Sequence, residues 1–352
     1  MRQPPQARLL RAGDSGPDVL DVQARLQALG YPVTPAERGR FDRETTSAVK
    51  AFQVRRGLVP DGIVGPLTWR ELVEAGLRLG NRMLYLRHPP LRGDDVRDLQ
   101  IRLNALGFDA GKEDGIFGVE TQTALRQFQR GSGLPTDGIV ARDTLEALSR
   151  LSRRILPGSK AALRERIARE SGGVERRTIY LDPGHGGRDV GIVTSPGVPE
   201  SYVVYRVAEA AHLHLTGLGA EPVYSRLVHQ GPDVDRRTGA ANASRSDAAV
   251  SFHVGCRPDP GPSLAYWSVE GTHSSAGRDL AEALSERLRP LVGRAPSVLG
   301  RNLPFLRQTR MPAVVVDLAS PGSDSLWVED PYLTGLGEAV AAGVRDYFSL
   351  TA

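Results

Sequence analysis

The N-terminal half of the chain contains an internal repeat. Residues 16–31, GPDVLDVQARLQALGY, match residues 93–108, GDDVRDLQIRLNALGF, and the similarity continues through the Asp61-Gly62 and Asp137-Gly138 dipeptides as far as Thr68 and Thr144. Solenoid units repeat every 20 to 50 residues or so, whereas this period is about 76 residues. The repeat therefore predicts two tandem domains, which we place at residues 1–80 and 81–150.

Each repeat has the pattern of three short helices. In the first repeat, apolar residues recur at helical spacing over residues 19–29 and again over residues 48–52. The Asp61-Gly62 dipeptide then favours a turn, and Pro66 fits the first turn of a third helix. We therefore predict two small all-α modules of three helices each.

The C-terminal half alternates strand and helix patterns. It follows residues 151–176, which are rich in Arg, Ser and Gly and which we interpret as a linker with one exposed helix over residues 161–170. The strand candidates are residues 178–181, 221–224, 248–252, 266–269 and 313–316, and the helix candidates are residues 202–215, 235–244, 274–291 and 334–348. This order predicts an α/β domain over residues 177–352, with a mostly parallel twisted sheet covered by helices on both faces.

Three residues that could bind a metal lie at the ends of these elements. His185 lies in a Gly-rich turn after the first strand, Glu200 opens an apolar helical run, and His253 follows the strand over residues 248–252. Open α/β sheets gather such groups at the carboxyl ends of their strands. Two imidazoles and one carboxylate fit a zinc site with one coordination position left open. We therefore predict a Zn²⁺ site formed by His185, Glu200 and His253.

These motifs resemble those of the type 3 family of zinc-dependent N-acetylmuramoyl-L-alanine amidases. That family cuts the bond between the lactyl group of muramic acid and the first alanine of the peptidoglycan stem peptide. The similar segments are LDPGHGGRDVG at residues 181–191, Glu200 at a helix start, and SFHVG at residues 251–255. The resemblance implies a hydrolase that uses the same three residues as metal ligands.

The catalytic position departs from the family pattern. Family members carry a general-base Glu on a late strand, where this chain reads PAVVVDLAS over residues 312–320 and has Asp317 instead. Asp is one methylene shorter than Glu, and a loss of about 1 Å of reach can cost on the order of 100-fold in rate. Actinobacterial amidase-like proteins are similar in the segment TRMPAVVVD, residues 309–317, and need not be lytic.

Three further residues near the predicted ligands have two interpretations each. Asp182 and Asp189 either hydrogen-bond to the ligands and orient them, or cap the Gly-rich turn. Cys256, the single cysteine, lies three residues after His253 and is either a fourth ligand or a small buried hydrophobic residue.

The N-terminal repeats resemble the peptidoglycan-binding domain 1 family. The shared signatures include VLDVQARLQALGY in the first helix and DGIVG after the second, at residues 19–31 and 61–65. The resemblance implies peptidoglycan or its precursors as partner, and a groove near the Asp61-Gly62 and Asp137-Gly138 turns is our candidate for glycan contact. A helical spacer that binds nothing is the alternative, because most matching positions are core and turn positions.

Composition limits the location and the partners of the chain. The chain has 352 residues, 40% hydrophobic and 24% charged, which is ordinary for a globular protein. Its net charge of +4 is compatible with acidic wall polymers, but a GC-rich coding sequence gives the same excess of Arg without any partner. We expect no nucleic-acid partner. No apolar run reaches the roughly 20 residues of a membrane span. The first 16 residues lack the pattern of an export signal, so we expect a cytoplasmic location unless another export route is used.

Three functions remain open from the sequence. The first is a zinc amidase that hydrolyses peptidoglycan in wall turnover. The second is a catalytically weak or inactive cytoplasmic regulator or scaffold of peptidoglycan precursor synthesis, which would hold a protein partner. The third is a wall-binding protein without a regulatory role. The complete ligand set favours the first function, and Asp317 favours the second.

Overall fold

The computed structural model describes residues 9–33, 39–152, 172–194, 197–255, 261–270, 272–293, 295–318 and 329–349. The chain forms two compact units, Met1–Ala161 and Ala162–Ala352. Both predicted repeats lie in the first unit. The helix predicted over residues 161–170 and Cys256 lie outside the described residues.

The first unit consists of two three-helix modules, as the repeat predicts. Its helices are α1 (Pro17–Ala28), α2 (Arg43–Arg55), α3 (Pro66–Ala75), α4 (Asp94–Ala105), α5 (Val119–Gly131) and α6 (Arg142–Ser152). The first three enclose a core that includes Val22 and Phe52. The last three enclose a second core that includes Leu99 and Phe128. Each module therefore buries its own apolar helix faces.

Glutamine side chains fasten the turns of both modules. Gln53 donates from Nε2 to Asp61 Oδ1 at 2.7 Å, and its Oε1 accepts the Gly62 N–H at 2.9 Å. Gln129 makes the equivalent bonds to Asp137, at 2.8 Å, and from Gly138, at 2.9 Å. The turns predicted to border a glycan groove are thus held rigidly against α2 and α5.

A buried arginine joins the two modules. Arg56, only 2% exposed, donates to Glu71 Oε2 in its own module from Nε at 2.9 Å and from Nη2 at 2.8 Å. The same guanidinium donates to both carboxylate oxygens of Asp94 in the second module, at 3.0 Å each. Since charged bidentate contacts are strong and directional, this ion pair fixes the start of α4 against the end of α2.

The second unit is an α/β domain. Its strands are β1 (Thr178–Pro183), β2 (Glu221–Tyr224), β3 (Ala248–His253), β4 (Ser263–Val269), β5 (Thr272–His273), β6 (Ser297–Arg301) and β7 (Ala313–Asp317). Its helices are α7 (Glu200–Gly217), α8 (Val234–Ala243), α9 (Ser275–Val292), α10 (Pro304–Gln308) and α11 (Asp330–Ser349). All predicted strands and helices of this half are present within the described residues; β5, β6 and α10 are additional to the prediction.

The sheet is mostly parallel, which confirms the predicted fold class. The strand order is β2-β1-β3-β7-β4-β5, with β6 paired to β4. The pairs β1–β2, β1–β3, β3–β7 and β4–β6 are parallel, whereas β4 runs antiparallel to β7 and β5. The carboxyl ends of β1, β3 and β7 therefore lie side by side at one edge.

Helices cover both faces of the sheet. Alternate residues of β1 point to opposite faces: Ile179 and Leu181 join the core with α7, α9 and α11, whereas Tyr180 joins the core with α8 and α10. Residues 179–181 of this strand are consecutive apolar residues, as expected for a strand buried on both faces. Among the described residues, no helix combines the length and apolar character required to cross a membrane.

Candidate metal centre

The three predicted ligands meet at the carboxyl edge of the sheet. His185 lies two residues after β1, Glu200 is the first residue of α7, and His253 is the last residue of β3. The register aligns Pro183 with Phe252, so the turn after β1 lies beside the end of β3. The candidate ligand atoms of His185, Glu200 and His253 all lie within 4.8 Å of one another.

Glu200 is the centre of this group. Its side chain is fully buried, and Oε1 lies 3.2 Å from His185 Nε2 and 3.1 Å from His253 Nδ1. Two backbone amides hold the carboxylate in place: Val254 N–H donates to Oε1 at 3.0 Å and Ile192 N–H donates to Oε2 at 3.1 Å. The carboxylate therefore faces both imidazoles in a fixed orientation.

The electrostatics of the group favour a cation. Burial by itself raises the pKa of the Glu200 carboxyl, but the contacts with His185 and His253 and the Val254 amide outweigh burial and hold that pKa well below its usual range. The carboxylate is therefore ionised over the physiological pH range. An ionised carboxylate enclosed with two imidazole nitrogens is an arrangement that a divalent metal satisfies well.

Asp189 orients the ring of His185. Its Oδ2 lies 2.9 Å from His185 Nδ1, and its Oδ1 accepts the Gly191 N–H at 3.2 Å. Asp189 thus contacts both a candidate ligand and the backbone of the turn. The contact at Nδ1 turns Nε2 toward Glu200, where Nε2 is buried and lies 3.2 Å from Oε1. A buried imidazole nitrogen that faces one carboxylate, with a second carboxylate on the other ring nitrogen, fits a metal ligand.

Glycines allow the backbone to pass close to the ligands. A Cβ on Gly184 would lie 2.5 Å from His253 Cε1, and a Cβ on Gly191 would lie 2.5 Å from Glu200 Oε2. His185 itself has a φ of 56°, in the left-handed region that non-glycine residues seldom adopt. The Gly-rich turn is therefore shaped by close approach to the side chains of the candidate ligands Glu200 and His253.

Asp317 lies beside His253 on the neighbouring strand. It is the last residue of β7, is only 3% exposed, and is aligned with His253 in the β3–β7 register. Its Oδ1 accepts the Gly255 N–H at 2.9 Å. The structure thus brings the predicted catalytic carboxylate to the same edge as the ligands and binds it to the loop after β3.

Asp182, unlike Asp189, makes no described contact with a candidate ligand. It is fully buried, and its Oδ2 accepts hydrogen bonds from Arg237 Nη1 at 2.8 Å and from Ser251 Oγ at 2.7 Å. These bonds tie β1 to α8 and β3. Asp182 therefore supports the sheet beneath the site, and its described hydrogen bonds include neither a candidate ligand nor the Gly-rich turn.

Two arginines near the site, the buried Arg226 and the partly buried Arg237, have no counterpart in the sequence predictions. Arg237 pairs with Asp182, and Arg226 donates to backbone carbonyls around the turn that carries His185. Arg226 is a single arginine after a short strand, and no sequence spacing identifies such a residue as part of a site. The only available signal was a charged residue two positions after β2, in the sequence YSRLV.

Comparisons with known proteins agree with this organisation. Residues 15–72 and 92–148 match the family described as putative peptidoglycan binding domain. Residues 179–346 match the family described as N-acetylmuramoyl-L-alanine amidase.

The similarity extends to curated proteins and solved structures. N-acetylmuramoyl-L-alanine amidase CwlM of Mycobacterium tuberculosis is 36% identical over 97% of this chain and 90% of that protein. The amidase CwlL of Bacillus licheniformis is 34% identical over 41% of this chain and 46% of that protein. The crystal structure of the amidase Ami1 from Mycobacterium smegmatis is 22% identical and covers 50% of this chain and 98% of that chain, with a TM-score of 0.45. On the full-length likeness to CwlM and the family match of residues 179–346, the chain belongs to the N-acetylmuramoyl-L-alanine amidase family of hydrolases.

Proposed function

We propose that the protein is a zinc-dependent N-acetylmuramoyl-L-alanine amidase that hydrolyses the lactyl–alanine amide bond of peptidoglycan. The observation that carries this proposal is the convergence of His185, Glu200 and His253, with the buried His185 Nε2 directed at an ionised carboxylate 3.2 Å away. Two nitrogen ligands and one oxygen ligand match the donor sets of catalytic zinc sites, which leave one coordination position open.

The residues of the chain have distinct roles in this proposal. His185, Glu200 and His253 would hold the metal, and Asp189 would keep the His185 ring in the orientation that presents Nε2. Zinc, when bound, would supply Lewis acidity toward the amide carbonyl and toward water. Glu200 is unsuited to proton transfer because two backbone amides occupy its oxygens and burial encloses it.

Asp317 is the residue that we assign to proton transfer. Hydrolysis of an amide requires a group that takes a proton from water and delivers it to the leaving amine. Asp317 ends the strand next to His253 and is the carboxylate of β7 at this edge. Its Oδ1 accepts the Gly255 N–H at 2.9 Å, which holds the carboxylate at this edge.

The two helical modules would hold the enzyme on its polymer. We propose peptidoglycan or its precursors as their ligand, with contact near the turns at Asp61-Gly62 and Asp137-Gly138. The buried Arg56 ion pair supports this role because it keeps two copies of one module in a constant arrangement. Two linked sites on one polymer bind more tightly than either site alone when their spacing suits the ligand.

The proposal is tested by release of stem peptides from purified peptidoglycan, measured by mass spectrometry with the zinc-loaded protein. We expect release by the parent and none by His185→Ala. A matched control is His214→Ala, which removes a histidine of α7 that pairs with Glu338 and lies 14 positions after Glu200, about 21 Å along the helix. A zinc-loaded parent that releases nothing would contradict the amidase proposal.

A second candidate function is a catalytically weak cytoplasmic regulator or scaffold of peptidoglycan precursor synthesis. One observation favours it: the side chain at the base position is Asp317, and it is bonded to the Gly255 amide. The variant Asp317→Glu separates the two candidates. A silent parent and an active Asp317→Glu variant would favour the regulator, and an active parent would favour the amidase. Fractionation of cells into cytoplasm and wall tests the location that the regulator requires.

A further inference from the structure

Arg226 lies directly behind the candidate metal centre. It follows β2 by two residues and is 2% exposed. Its guanidinium donates to five backbone carbonyls: from Nε to Pro183 at 2.8 Å, from Nη2 to Gly184 at 3.1 Å and Ser201 at 3.0 Å, and from Nη1 to Leu227 at 3.4 Å and Val228 at 3.1 Å. None of these acceptors is a carboxylate.

One nitrogen of this side chain links the two elements that carry ligands. Arg226 Nη2 donates to Gly184, the residue before His185, and to Ser201, the residue after Glu200. The first carbonyl belongs to the residue directly after β1 and the second to the first turn of α7. The position of Nη2 therefore sets the distance between the backbones that present His185 and Glu200.

The segment that Arg226 holds is conformationally strained. His185 has a φ of 56°, and the following Gly186 has a φ of 121°. A Cβ on Gly186 would lie 2.2 Å from Gln230 O and 2.9 Å from Arg226 Nε. A non-glycine residue persists in the left-handed region only where its surroundings hold it there. Arg226 and the loop after it form those surroundings.

Arg226 differs from an arginine that only forms a structural ion pair. Arg237, a partly buried arginine near the site, pairs with the Asp182 carboxylate. Arg226 has carbonyl acceptors and the face of the Tyr205 ring, whose centroid lies 5.4 Å from Cζ. Burial lowers the pKa of the Arg226 guanidinium, so the cation is held here at a cost. The planar fork of five N–H groups is what allows one side chain to reach several carbonyls at once.

From this geometry we infer that Arg226 is a positioning residue of the metal centre. It sets the separation of His185 and Glu200, and through it the metal affinity, without touching the metal or the substrate. The inference rests on the proposed zinc function of His185, Glu200 and His253.

The test measures zinc affinity by competition with a chromogenic chelator in the parent, Arg226→Met and Arg226→Lys. We expect Arg226→Met to bind zinc about 10- to 100-fold more weakly, the range typical of partners that orient metal ligands. Arg226→Lys, which keeps the charge but loses the fork, should fall between the two. The matched control is Arg56→Met, which removes an equally buried arginine from the first unit and should leave zinc affinity unchanged.

A second readout is the visible absorption of the cobalt-substituted proteins. Ligand-field bands respond to the coordination geometry, so the Arg226 variants should give shifted or weakened bands and Arg56→Met the bands of the parent. A role confined to folding stability would leave the spectrum of the folded fraction unchanged.

The outcomes separate this inference from the function on which it rests. A parent that does not bind zinc overturns both. A parent that binds zinc, together with a folded Arg226→Met variant of equal affinity and equal cobalt spectrum, overturns only the role of Arg226. If circular dichroism finds Arg226→Met unfolded, Arg226→Lys decides: weaker zinc binding supports the role, and parental affinity overturns it.

Discussion

Asp189 Oδ2 lies 2.9 Å from His185 Nδ1, and this contact selects the ring nitrogen that faces Glu200. The same carboxylate accepts the Gly191 N–H and so closes the turn around the ligand. One acidic side chain therefore both orients the imidazole and shapes the loop that carries it. Asp189 therefore contributes to the candidate centre in two ways, through the loop backbone and through the candidate ligand His185.

The first prediction concerns Asp189 itself. Replacement by Ala removes the acceptor at His185 Nδ1, so the ring can rotate and present either nitrogen. We expect Asp189→Ala to weaken zinc binding about 10- to 100-fold, and Asp189→Asn, which keeps one acceptor oxygen, to weaken it less. Zinc titration against a competing chelator measures both. Equal affinities in Asp189→Ala and the parent would contradict the orienting role.

The second prediction concerns Gly191. A Cβ there would meet Glu200 Oε2 at 2.5 Å and His185 Cδ2 at 2.9 Å, and the backbone has a φ of 69°. We expect Gly191→Ala to lower zinc affinity by at least about tenfold, because the ligands must move apart to admit the methyl group. The measurement is again zinc titration.

Gly197 provides the matched control for that prediction. It has a φ of 83°, and a Cβ added there would meet no atom within 4 Å, so Gly197→Ala incurs the backbone cost alone. That cost is on the order of 1 kcal/mol of stability. We expect a small drop in melting temperature and unchanged zinc affinity. A loss of zinc binding in both variants would mean that backbone strain, and not the contact with Glu200, causes the effect.

The third prediction concerns metal removal. A ligand that binds only the folded state stabilises it, by about 2.7 kcal/mol when its free concentration is about 100 times its dissociation constant. We therefore expect a chelator to lower the melting temperature of the second unit and zinc to restore it, as followed by calorimetry. In His185→Ala, zinc should produce no such shift. A parent whose melting is insensitive to both reagents would argue against a metal in this site.

The fourth prediction concerns the ion pair between the two modules. Arg56 and Glu71 have side chains only 3% and 4% exposed, so Arg56→Met leaves a buried carboxylate without its cation. Loss of one partner of a buried pair costs about 3 to 5 kcal/mol. We expect the first unit to lose stability by that amount in urea unfolding.

Two companion variants locate the origin of that cost. Asp94 is 27% exposed in the side chain, so water can replace part of what it contributes, and Asp94→Asn should cost less than Arg56→Met. The double variant Arg56→Met with Glu71→Gln should recover part of the stability because no buried charge remains. A double variant less stable than Arg56→Met would contradict this explanation.

Much of the fold follows from local patterns in the sequence. The apolar residues of β1, and those of α1 at helical spacing, predict the faces that each element buries. Those faces are buried in the structure. The parallel order followed from the alternation of strands and helices. In contrast, β6 contains Gly300 and Arg301 and has no apolar alternation, so its pairing with β4 had no local signal.

The candidate site divides in the same way. The motif around His185, the helix start at Glu200 and the strand end at His253 are local features, and the sequence by itself was sufficient to group them. The partners of the supporting residues are not local. Arg226 reaches Gly184 across 42 positions, and Arg237 reaches Asp182 across 55. Such contacts depend on strand register and loop path, which arise only when the sheet has assembled, and so the tertiary structure alone decided which charges hold the site.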